Sequence, residues 1–374
     1  MPSRDLTAAR IIAYPVRAAV CHQFKEPLQI ENLDLDLPAE GEVMVRVSAC
    51  GICHSDIAFI DGAWGGALPA VYGHEVAGVV TETGRRVDTV APGTHVVVTL
   101  VRSCGRCFYC LRGEVTQCEG NFAIDERGPL RFPGGEPVKQ GLRVAGFAEY
   151  VTVDASQVVP IPAGVPPESA CLLACAVATG VGAVRNTAQV PEGASVAIIG
   201  AGGVGLNCVQ GAALAGADPV IAIDVSSSRL DAACLFGATN VVNSMQDDAT
   251  EAVRKLSGGR GADYTFVAAG SPAAIELGLT TSRRGGTVVI VGITATGVTV
   301  LVDPGELADS ARRVLGSKMG SIRPQVDLPA LAELYRSGRL KLDELVTARF
   351  PLDRINEGLG TARRGEGVRT VIVF

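Results

Sequence analysis

The sequence predicts an α/β protein in which a doubly wound parallel sheet is combined with a strand-rich part. From about Ala178 to Gly316, short apolar segments alternate with helix-like stretches, the rhythm of a parallel sheet with helices on both faces. The first 160 residues show strand-like patterns and frequent turn residues instead. The last residues, 369–374, form another short apolar run that is typical of a strand.

The composition points to a globular protein and argues against two classes of partner. Hydrophobic residues make up 47% of the 374 positions and charged residues 19%, far from a disordered composition. The net charge of −6 argues against nucleic acid or an anionic membrane as partner. No apolar run reaches the ~18 residues of a membrane-spanning helix. The start, 1–17, is expected to be a short disordered or strand-leading extension without a signal-peptide core, so the cytoplasm is the expected location.

The strand-rich part contains three segments with clear patterns. Residues 43–47 alternate between valine and other residues, which predicts a half-buried strand. The run 96–101 predicts a buried strand that follows a Pro-Gly turn. The stretch 120–146 is rich in glycine, proline and charge, so we expect a surface loop there.

The parallel sheet is predicted from four apolar segments separated by helix-like stretches. They are Val196–Ile199, Val220–Ile223, Tyr264–Ala268 and Thr287–Val291. After about Arg323 an amphipathic helix is expected over Leu328–Ser337, ended by Gly338.

A glycine-rich turn directly follows the first of these strands. It reads Gly200-Ala201-Gly202-Gly203-Val204-Gly205 and leads into a helical pattern over 206–215. The glycines allow a tight turn, close approach of a pyrophosphate and close helix–strand packing, and the helix N-terminus attracts negative charge. Asp224, nineteen residues beyond Gly205, ends the second strand, where a carboxylate can bind ribose hydroxyls. The pattern predicts dinucleotide binding, and the alternative is a glycine-rich turn that binds nothing.

Four of the eleven cysteines are crowded into one short segment. Cys104, Cys107, Cys110 and Cys118 have spacings of x2, x2 and x7, and four thiolates can close a tetrahedral zinc shell. A closed shell has no place for water or substrate, so this zinc would be structural. Free or disulfide-bonded cysteines, or a zinc ribbon that binds nucleic acid, are the alternatives.

A second group of metal-ligand residue types is dispersed along the chain. Cys53, His54, Ser55 and Asp56 follow a strand, a Gly-His-Glu segment lies at 73–75, and Cys175 comes much later. Each of these residues alone is most often a packing residue or a hydrogen-bonded core group.

Together, these motifs resemble those of one enzyme family. The matching pieces are Cys-Gly-Ile-Cys-His-Ser-Asp at 50–56, Gly-His-Glu at 73–75, the four-cysteine segment, Gly-Ala-Gly-Gly-Val-Gly at 200–205 and Val-Arg-Thr at 368–370. The chain resembles, from Arg17 to Phe374, the zinc-containing alcohol dehydrogenases of the medium-chain dehydrogenase/reductase family. The resemblance implies a GroES-like catalytic domain over 1–177 and 321–374, a Rossmann domain over 178–320, and a homodimer formed through a strand such as Val298–Val302.

The resemblance also implies a catalytic zinc, making two zinc ions per chain. Its ligands would be Cys53, His74 and Cys175, with an open fourth position that can polarise a substrate oxygen. Ser55 would take the alcohol proton, Asp56 would orient His74, and Glu75 would lie near the metal. Ala58 stands where this family often has a histidine that completes the proton relay. The relay would therefore end on cofactor ribose hydroxyls and water, or on another group.

The resemblance assigns a further set of residues to the cofactor, NAD. They are His54, Gly200, Gly202, Gly203, Val204, Gly205, Asp224, Arg229 and Arg369. Asp224 would repel the 2′-phosphate of NADP, and Arg369 would pair with the pyrophosphate. The five remaining cysteines are expected to be packing residues: Cys21, Cys50, Cys171, Cys208 and Cys234.

The substrate is the least defined part of this interpretation. By their offset from the ligands, Trp64, Leu100 and Ile293 resemble pocket-lining positions, which favours an apolar alcohol or aldehyde. A formaldehyde adduct of glutathione or mycothiol is an alternative substrate. A zinc-independent quinone or enoyl reductase and a non-enzymatic zinc protein are the alternatives of other classes.

Overall fold

The structure is a computed structural model that describes residues 13–374; most of the expected N-terminal extension lies outside these residues. The strands are β1 Ala13–Cys21, β2 Gln29–Asp36, β3 Glu42–Gly51, β4 Ala70–Val71, β5 Glu75–Thr83, β6 His95–Val98, β7 Leu130–Arg131, β8 Pro137–Gln140, β9 Tyr150–Asp154, β10 Val158–Pro160, β11 Val196–Ile199, β12 Val220–Asp224, β13 Asn240–Asn243, β14 Ala262–Val267, β15 Ser282–Ile290, β16 Arg313–Gly316, β17 Val346–Pro351 and β18 Arg369–Val373.

The α-helices are α1 His54–Ile60, α2 Phe108–Leu111, α3 Ala123–Arg127, α4 Pro167–Ala170, α5 Ala176–Gly182, α6 Gly203–Leu214, α7 Ser227–Leu235, α8 Ala249–Leu256, α9 Pro272–Thr281, α10 Pro304–Ser310, α11 Pro324–Arg336 and α12 Ile355–Arg363.

A six-stranded parallel sheet forms the middle of the chain, as predicted. Its order is β13-β12-β11-β14-β15-β16, which in chain order is 3-2-1-4-5-6, the doubly wound Rossmann arrangement. The four predicted strands are its inner members. The outer strands β13 and β16 were not predicted, because neither carries a continuous apolar run.

The strand-rich part forms a closed barrel and a second sheet. The barrel order is β1-β2-β7-β8-β4, and the sheet order is β10-β6-β5-β3-β18-β17, with β9 paired to β3. Strand β18, from the end of the chain, lies between β3 and β17. These two sheets thus contain β1–β10 and β17–β18, whereas β11–β16 form the parallel sheet. The domain limits at 177 and 321 stay a prediction.

One local prediction is confirmed with a single exception, and another needs correction. The segment 43–47 is part of β3, where the valines are buried and Arg46 is exposed, as the alternation predicts. Only Met44 departs from the pattern, because it is buried in the same apolar core as the valines. The stretch 120–146 is not simply a surface loop. It contains α3, β7 and β8, and its residues Leu130 and Val138 are buried in the barrel core.

In the described part of the chain, no single helix is long and apolar enough to cross a membrane. The helical segments Pro167–Ala174 and Ala176–Ala188 are joined at a bend, and they are long and apolar enough for a membrane span only if they are counted as one helix. Most of this pair belongs to the main apolar core, which continues into α6 and β11.

Candidate active site and zinc centres

Four cysteines around helix α2 bring their sulfur atoms together. The Sγ atoms of Cys104, Cys107, Cys110 and Cys118 all lie within 4.8 Å of one another. The Cys104–Cys110 and Cys107–Cys118 sulfur distances are both 4.0 Å, about twice the length of a disulfide bond. A tetrahedral shell with Zn–S bonds of about 2.3 Å would place sulfurs about 3.8 Å apart. The observed spacing therefore fits four thiolates around one zinc ion.

Backbone N–H groups support negative charge on these sulfurs. The N–H groups of Cys104 and Gly120 donate to Cys118 Sγ at 3.4 Å, and that of Cys110 donates to Cys107 Sγ at 3.5 Å. The hydrogen bond from Cys110 is the largest cause that lowers the pKa of Cys107, to about 6. Gly120 must be glycine here, because a Cβ would lie 2.6 Å from the Cβ of Cys104.

The second cluster is assembled from three distant parts of the chain and is fully buried. Ligand atoms of Cys53, His74, Glu75 and Cys175 lie within 4.8 Å of one another. Cys53 immediately precedes α1, His74 and Glu75 lie at the start of β5, and Cys175 immediately precedes α5. The turn before His74 needs glycine, since Gly73 has a φ of +92° and a Cβ would lie 2.7 Å from the Phe147 backbone.

Asp56 fixes the orientation of the His74 ring. His74 Nδ1 donates to Asp56 Oδ1 at 2.9 Å, and the backbone N–H groups of Gly73 and Cys53 donate to the same carboxylate. Burial alone would lower the pKa of His74, but the carboxylate of Asp56 outweighs it and raises the pKa well above its usual value. His74 Nε2, on the other side of the ring, is buried without a hydrogen-bond partner. An imidazole oriented by a carboxylate through Nδ1, with Nε2 free, is the usual state of a zinc ligand.

The two thiols of this cluster influence each other. A hydrogen bond from Cys175 is the largest cause that lowers the pKa of Cys53 well below that of an ordinary thiol. The same bond, followed by burial, raises the pKa of Cys175. The pair thus favours one thiolate and one thiol, and a divalent cation would allow both to lose their protons.

Arg369 connects this cluster to the glycine-rich turn. It is buried in β18 and pairs with Glu75 Oε2, while Glu75 Oε1 has no partner. A Cβ on Gly203, the first residue of α6, would lie 2.6 Å from Arg369 Cδ. The guanidinium group therefore lies between the metal-ligand cluster and the N-terminus of α6.

The glycine-rich turn has the shape of a dinucleotide cradle. Gly200 has a φ of +94°, and a Cβ on Gly205 would overlap the carbonyl oxygen of Gly200. A Cβ on Gly202 would meet no atom within 4 Å, so the space above this residue is open to a ligand. Asp224 ends β12 and accepts from Ala201 N at 2.7 Å and from Ser226 N at 2.9 Å. Each carboxylate oxygen retains acceptor capacity for a ribose hydroxyl.

Comparison with known proteins gives the same result over nearly the whole chain. Residues 39–163 match the alcohol dehydrogenase GroES-like domain, and residues 203–337 match the zinc-binding dehydrogenase domain. An NDMA-dependent alcohol dehydrogenase from Amycolatopsis methanolica is 37% identical over 367 residues, covering 96% of this chain and 98% of the relative. The chain belongs to the zinc-binding alcohol dehydrogenases. This is the branch of the medium-chain dehydrogenase/reductase family predicted from the motifs.

Two further proteins show the breadth of this family. An S-(hydroxymethyl)glutathione dehydrogenase from Photobacterium damsela subsp. piscicida is 36% identical, with 96% of this chain and 99% of the relative covered. The crystal structure of an alcohol dehydrogenase zinc-binding domain protein from Burkholderia ambifaria has a TM-score of 0.92 and 35% identity. The match covers 97% of this chain and all of that one.

As in other zinc-binding alcohol dehydrogenases, the residue types present fit the metal. The buried cluster offers two thiols and an imidazole whose Nε2 lacks a partner. The segment 104–118, called the cysteine lobe below, offers four sulfurs at tetrahedral spacing. Ser55 and His54 lie on the first turn of α1, next to Cys53. Arg229 lies 4.0 Å from Asp224, at the predicted ribose position. Val204 follows Gly203 in the first turn of α6.

The three predicted pocket residues of this dehydrogenase have different environments. Trp64 and Leu100 are half-buried, whereas the side chain of Ile293 is 67% exposed. Met319 was not predicted from the sequence, but it lies at the buried cluster. Its Sδ is 3.8 Å from Cys175 Sγ and 3.7 Å from Thr179 Oγ1. No local pattern identifies this methionine, because it follows β16 and reaches the cluster only through tertiary structure.

The remaining cysteines are mostly packing residues, as expected. Cys21, Cys50, Cys171 and Cys208 are buried, but Cys234 is exposed on α7, so the prediction was wrong there. It is the next-to-last residue of α7, whose buried residues are Leu230 and Ala233. Burial raises the pKa of Cys208 to about 12, in keeping with an inert thiol.

Proposed function

We propose that this alcohol dehydrogenase uses NAD and two zinc ions, with Cys53, His74 and Cys175 as the ligands of the catalytic ion. The observation that carries the proposal is the buried cluster itself, in which His74 Nε2 has no partner and Arg369 bridges to the dinucleotide turn. Cys104, Cys107, Cys110 and Cys118 would hold the second, structural ion. Four sulfur ligands leave that site closed to substrate.

Bound zinc would polarise the oxygen of the alcohol or aldehyde, and NAD would accept or supply the hydride. The chain's own residues orient the reactants and move the proton. Asp56 keeps the His74 ring in place, and Ser55 Oγ, on the same helix as Asp56, accepts the proton of the alcohol. With Ala58 in the place of a relay histidine, Ser55 passes this proton to the ribose hydroxyls of NAD and to water.

NAD is the proposed cofactor in preference to NADP. The carboxylate of Asp224 is fixed by Ala201 and Ser226 at the end of β12, where it can bind both ribose hydroxyls and would repel a 2′-phosphate. Arg369, next to Gly203, is placed to neutralise the pyrophosphate, with His54 contributing from the side of α1. Arg229 would lie beside the adenosine ribose.

The proposed substrate is an apolar alcohol or aldehyde enclosed by Trp64, Leu100 and Ile293. A thiol adduct of formaldehyde is the second candidate, because relatives of similar identity are named S-(hydroxymethyl)glutathione dehydrogenases. A homodimer and a cytoplasmic location complete the proposal. The dimer would form through 298–302, which is an exposed irregular segment in this single chain and not a strand.

The test is zinc content together with NAD-dependent oxidation of primary, aromatic and secondary alcohols and of formaldehyde adducts of glutathione and mycothiol. We expect about two zinc ions per chain and NADH formation in the wild type. Cys53→Ala should lose one zinc ion and all activity. Cys234→Ser, which alters an exposed cysteine outside both clusters, should retain both.

One zinc ion per chain, with activity that does not depend on Cys53, would overturn this proposal in favour of a zinc-independent reductase. The ranking of kcat/KM decides between the two substrate classes. Preference for an adduct over free alcohols by a factor of ten or more would select the thiol-adduct dehydrogenase.

A further inference from the structure

Trp64 connects two parts of the molecule that are far apart in sequence. It lies just after α1, in the segment that carries Cys53 and Ser55, and its indole Nε1 donates to the backbone carbonyl oxygen of Thr294 at 3.2 Å. The indole is half-buried and packs edge-on against the Phe59 ring, with a centroid distance of 5.3 Å. Its N–H thus links the segment after α1 to the chain that follows β15.

Thr294 lies at the start of an exposed irregular segment, 292–303, between β15 and α10. This segment begins beside the dinucleotide turn. The N–H of Gly292 donates to Val267 O at 2.9 Å, and Gly292 packs against the backbone of Ala269. Ala269 in turn lies against Gly200. The last of these contacts is between Gly270, which follows β14, and the backbone of Ile293 and Thr294. Thr294 is therefore close to the proposed cofactor site, at the point where the segment leaves the sheet.

The backbone around Trp64 is built to present this side chain. Gly62, Gly65 and Gly66 all have left-handed φ angles, of +74°, +71° and +129°. Such angles are readily adopted only by glycine, and they let the chain reverse direction on both sides of Trp64. At Gly62, a Cβ would also lie 2.9 Å from the Phe24 ring. The indole is carried on a tight loop whose shape depends on glycine.

From this geometry we propose that Trp64 is a positioning residue, whose N–H holds segment 292–303 in the conformation that receives the cofactor. The inference rests on the proposed function, because it assumes that NAD binds beside Gly200–Gly205. In the free protein the bond to Thr294 O orders the segment. The cofactor then meets a formed site and does not have to order that segment on binding.

A residue that only lines the pocket would behave differently. A pocket wall needs the area and shape of the ring, whereas the proposed role needs the indole N–H. Trp64 is the one tryptophan of the chain, so a tryptophan analogue supplied during expression alters this position alone. Benzothienylalanine keeps the bicyclic ring and replaces N–H by sulfur. Trp64→Phe gives the same loss of the donor by mutation.

The experiment compares four zinc-loaded proteins: the wild type, Trp64→Phe, the benzothienylalanine protein and Thr294→Ala. The last is the matched control, because it removes the side chain of Thr294 but retains the accepting carbonyl. Two quantities are measured, the Kd of NAD and the amide hydrogen exchange of 292–303 without cofactor. We expect both proteins without the indole N–H to bind NAD about two- to tenfold more weakly, the range that one net hydrogen bond supplies. Their 292–303 amides should exchange several-fold faster, and NAD should restore protection.

Thr294→Ala should match the wild type in both measurements, and the zinc content of all four proteins should be equal. Wild-type Kd and exchange in the benzothienylalanine protein would overturn the proposal, even if Trp64→Phe fails to fold. If the wild type does not bind NAD, the proposed function fails. Exchange of 292–303 then still decides whether the N–H orders the segment.

Discussion

At the residue scale, the His74 ring is oriented as the proposed role of zinc ligand requires. One nitrogen donates to a carboxylate that is itself held by two backbone N–H groups, and the other nitrogen is buried without a partner. An unpartnered buried polar atom costs about 1–3 kcal/mol. Such a cost is expected where a ligand later supplies the missing contact.

Asp56→Asn should therefore weaken the catalytic zinc site without affecting the cysteine lobe. The amide is a poorer acceptor for His74 Nδ1, and loss of such a carboxylate typically reduces metal affinity about 10- to 100-fold. Zinc remaining per chain, followed during titration with a chelator, should show one ion leaving earlier than in the wild type. Asp61→Asn, at the other end of α1 and paired with Arg363, is the control. If the chelator removes zinc from Asp56→Asn and from the wild type in the same way, the role of Asp56 is contradicted.

The two clusters differ in how far sequence alone could define them. The lobe cysteines lie within fifteen residues, so their spacing predicts a closed tetrahedral shell directly. Cys53 and Cys175 are 122 positions apart, and no local pattern states that they meet. Their pairing was accessible only through the family resemblance. Met319, which also contacts Cys175, had no signal of either kind.

At the element scale, helix α6 and its glycines separate packing from ligand binding. Gly205→Ala should destabilise the fold, because its Cβ would overlap the backbone of Gly200, which cannot move aside cheaply. Gly202→Ala should leave stability nearly unchanged, since nothing lies within 4 Å of its Cβ. It should nevertheless weaken NADH binding, because the methyl group occupies the open space of the cradle. Urea unfolding and NADH titration measure the two effects, and normal NADH affinity in Gly202→Ala would argue against the cradle.

A pH-dependent contact lies at the amino-terminal ends of the parallel strands, opposite the glycine-rich turn. Asp263, in β14, accepts from Ser195 N at 2.8 Å and Ser195 Oγ at 2.6 Å, and pairs with Arg283 at 2.6 Å. Burial acts to raise the pKa of Asp263, but these partners outweigh it and lower the pKa below its usual value. The charged form therefore stabilises the folded state at pH values above the unfolded pKa of about 4, and this contribution is lost as pH falls through the lower folded pKa.

Asp263→Asn should accordingly lower the free energy of unfolding at pH 7. The difference from the wild type should shrink as the pH falls below about 4, where Asp263 itself becomes protonated. Urea unfolding at a series of pH values measures this difference. Asp231→Asn, an exposed carboxylate on α7, should show no comparable change. A constant difference at all pH values would show that the amide acts through packing and not through charge.

Elements with a strong apolar pattern were predictable, and those defined by their neighbours were not. The inner strands of the parallel sheet are buried on both faces and read as apolar runs, whereas β13 and β16 take their conformation from the strand beside them. The segment 120–146 was misread because β7 and β8 are so short. They are strands only because the barrel closes through them.

At the scale of the whole molecule, one group of exposed apolar side chains lies within the short segment 293–302. Leu301 is 95% exposed, and Ile293, Val298 and Val302 are exposed nearby. Apolar side chains grouped in this way are typical of a protein–protein contact. If this segment forms the contact of the proposed dimer, Leu301→Asp should reduce the mass in sedimentation equilibrium from that of a dimer to that of one chain. Leu111→Asp, an exposed leucine of the cysteine lobe, should remain dimeric. An unchanged mass for Leu301→Asp would place the contact elsewhere.

The interleaved order of the sheets could be predicted in outline. The apolar run at the end of the chain predicted a strand, and the family resemblance implied that this strand rejoins the strand-rich part. The pairing partner of that run could not be predicted, because an antiparallel partner can come from any distance along the chain. In the structure β18 pairs with β3, with Ile372 opposite Cys50.

The position of β18 has a consequence for how the protein is made. Ribosomes release a chain from its first residue onward, and domains generally fold in that order. Here β18, which lies between β3 and β17, and Arg369, which pairs with Glu75, are synthesised after every other strand of that sheet. A nascent chain can build its cysteine lobe and its parallel sheet earlier, but the sheet around β3 stays open and Glu75 unpaired until residues 369–373 have emerged. A message that is cut before these codons would yield a product whose buried cluster lacks the partner of Glu75.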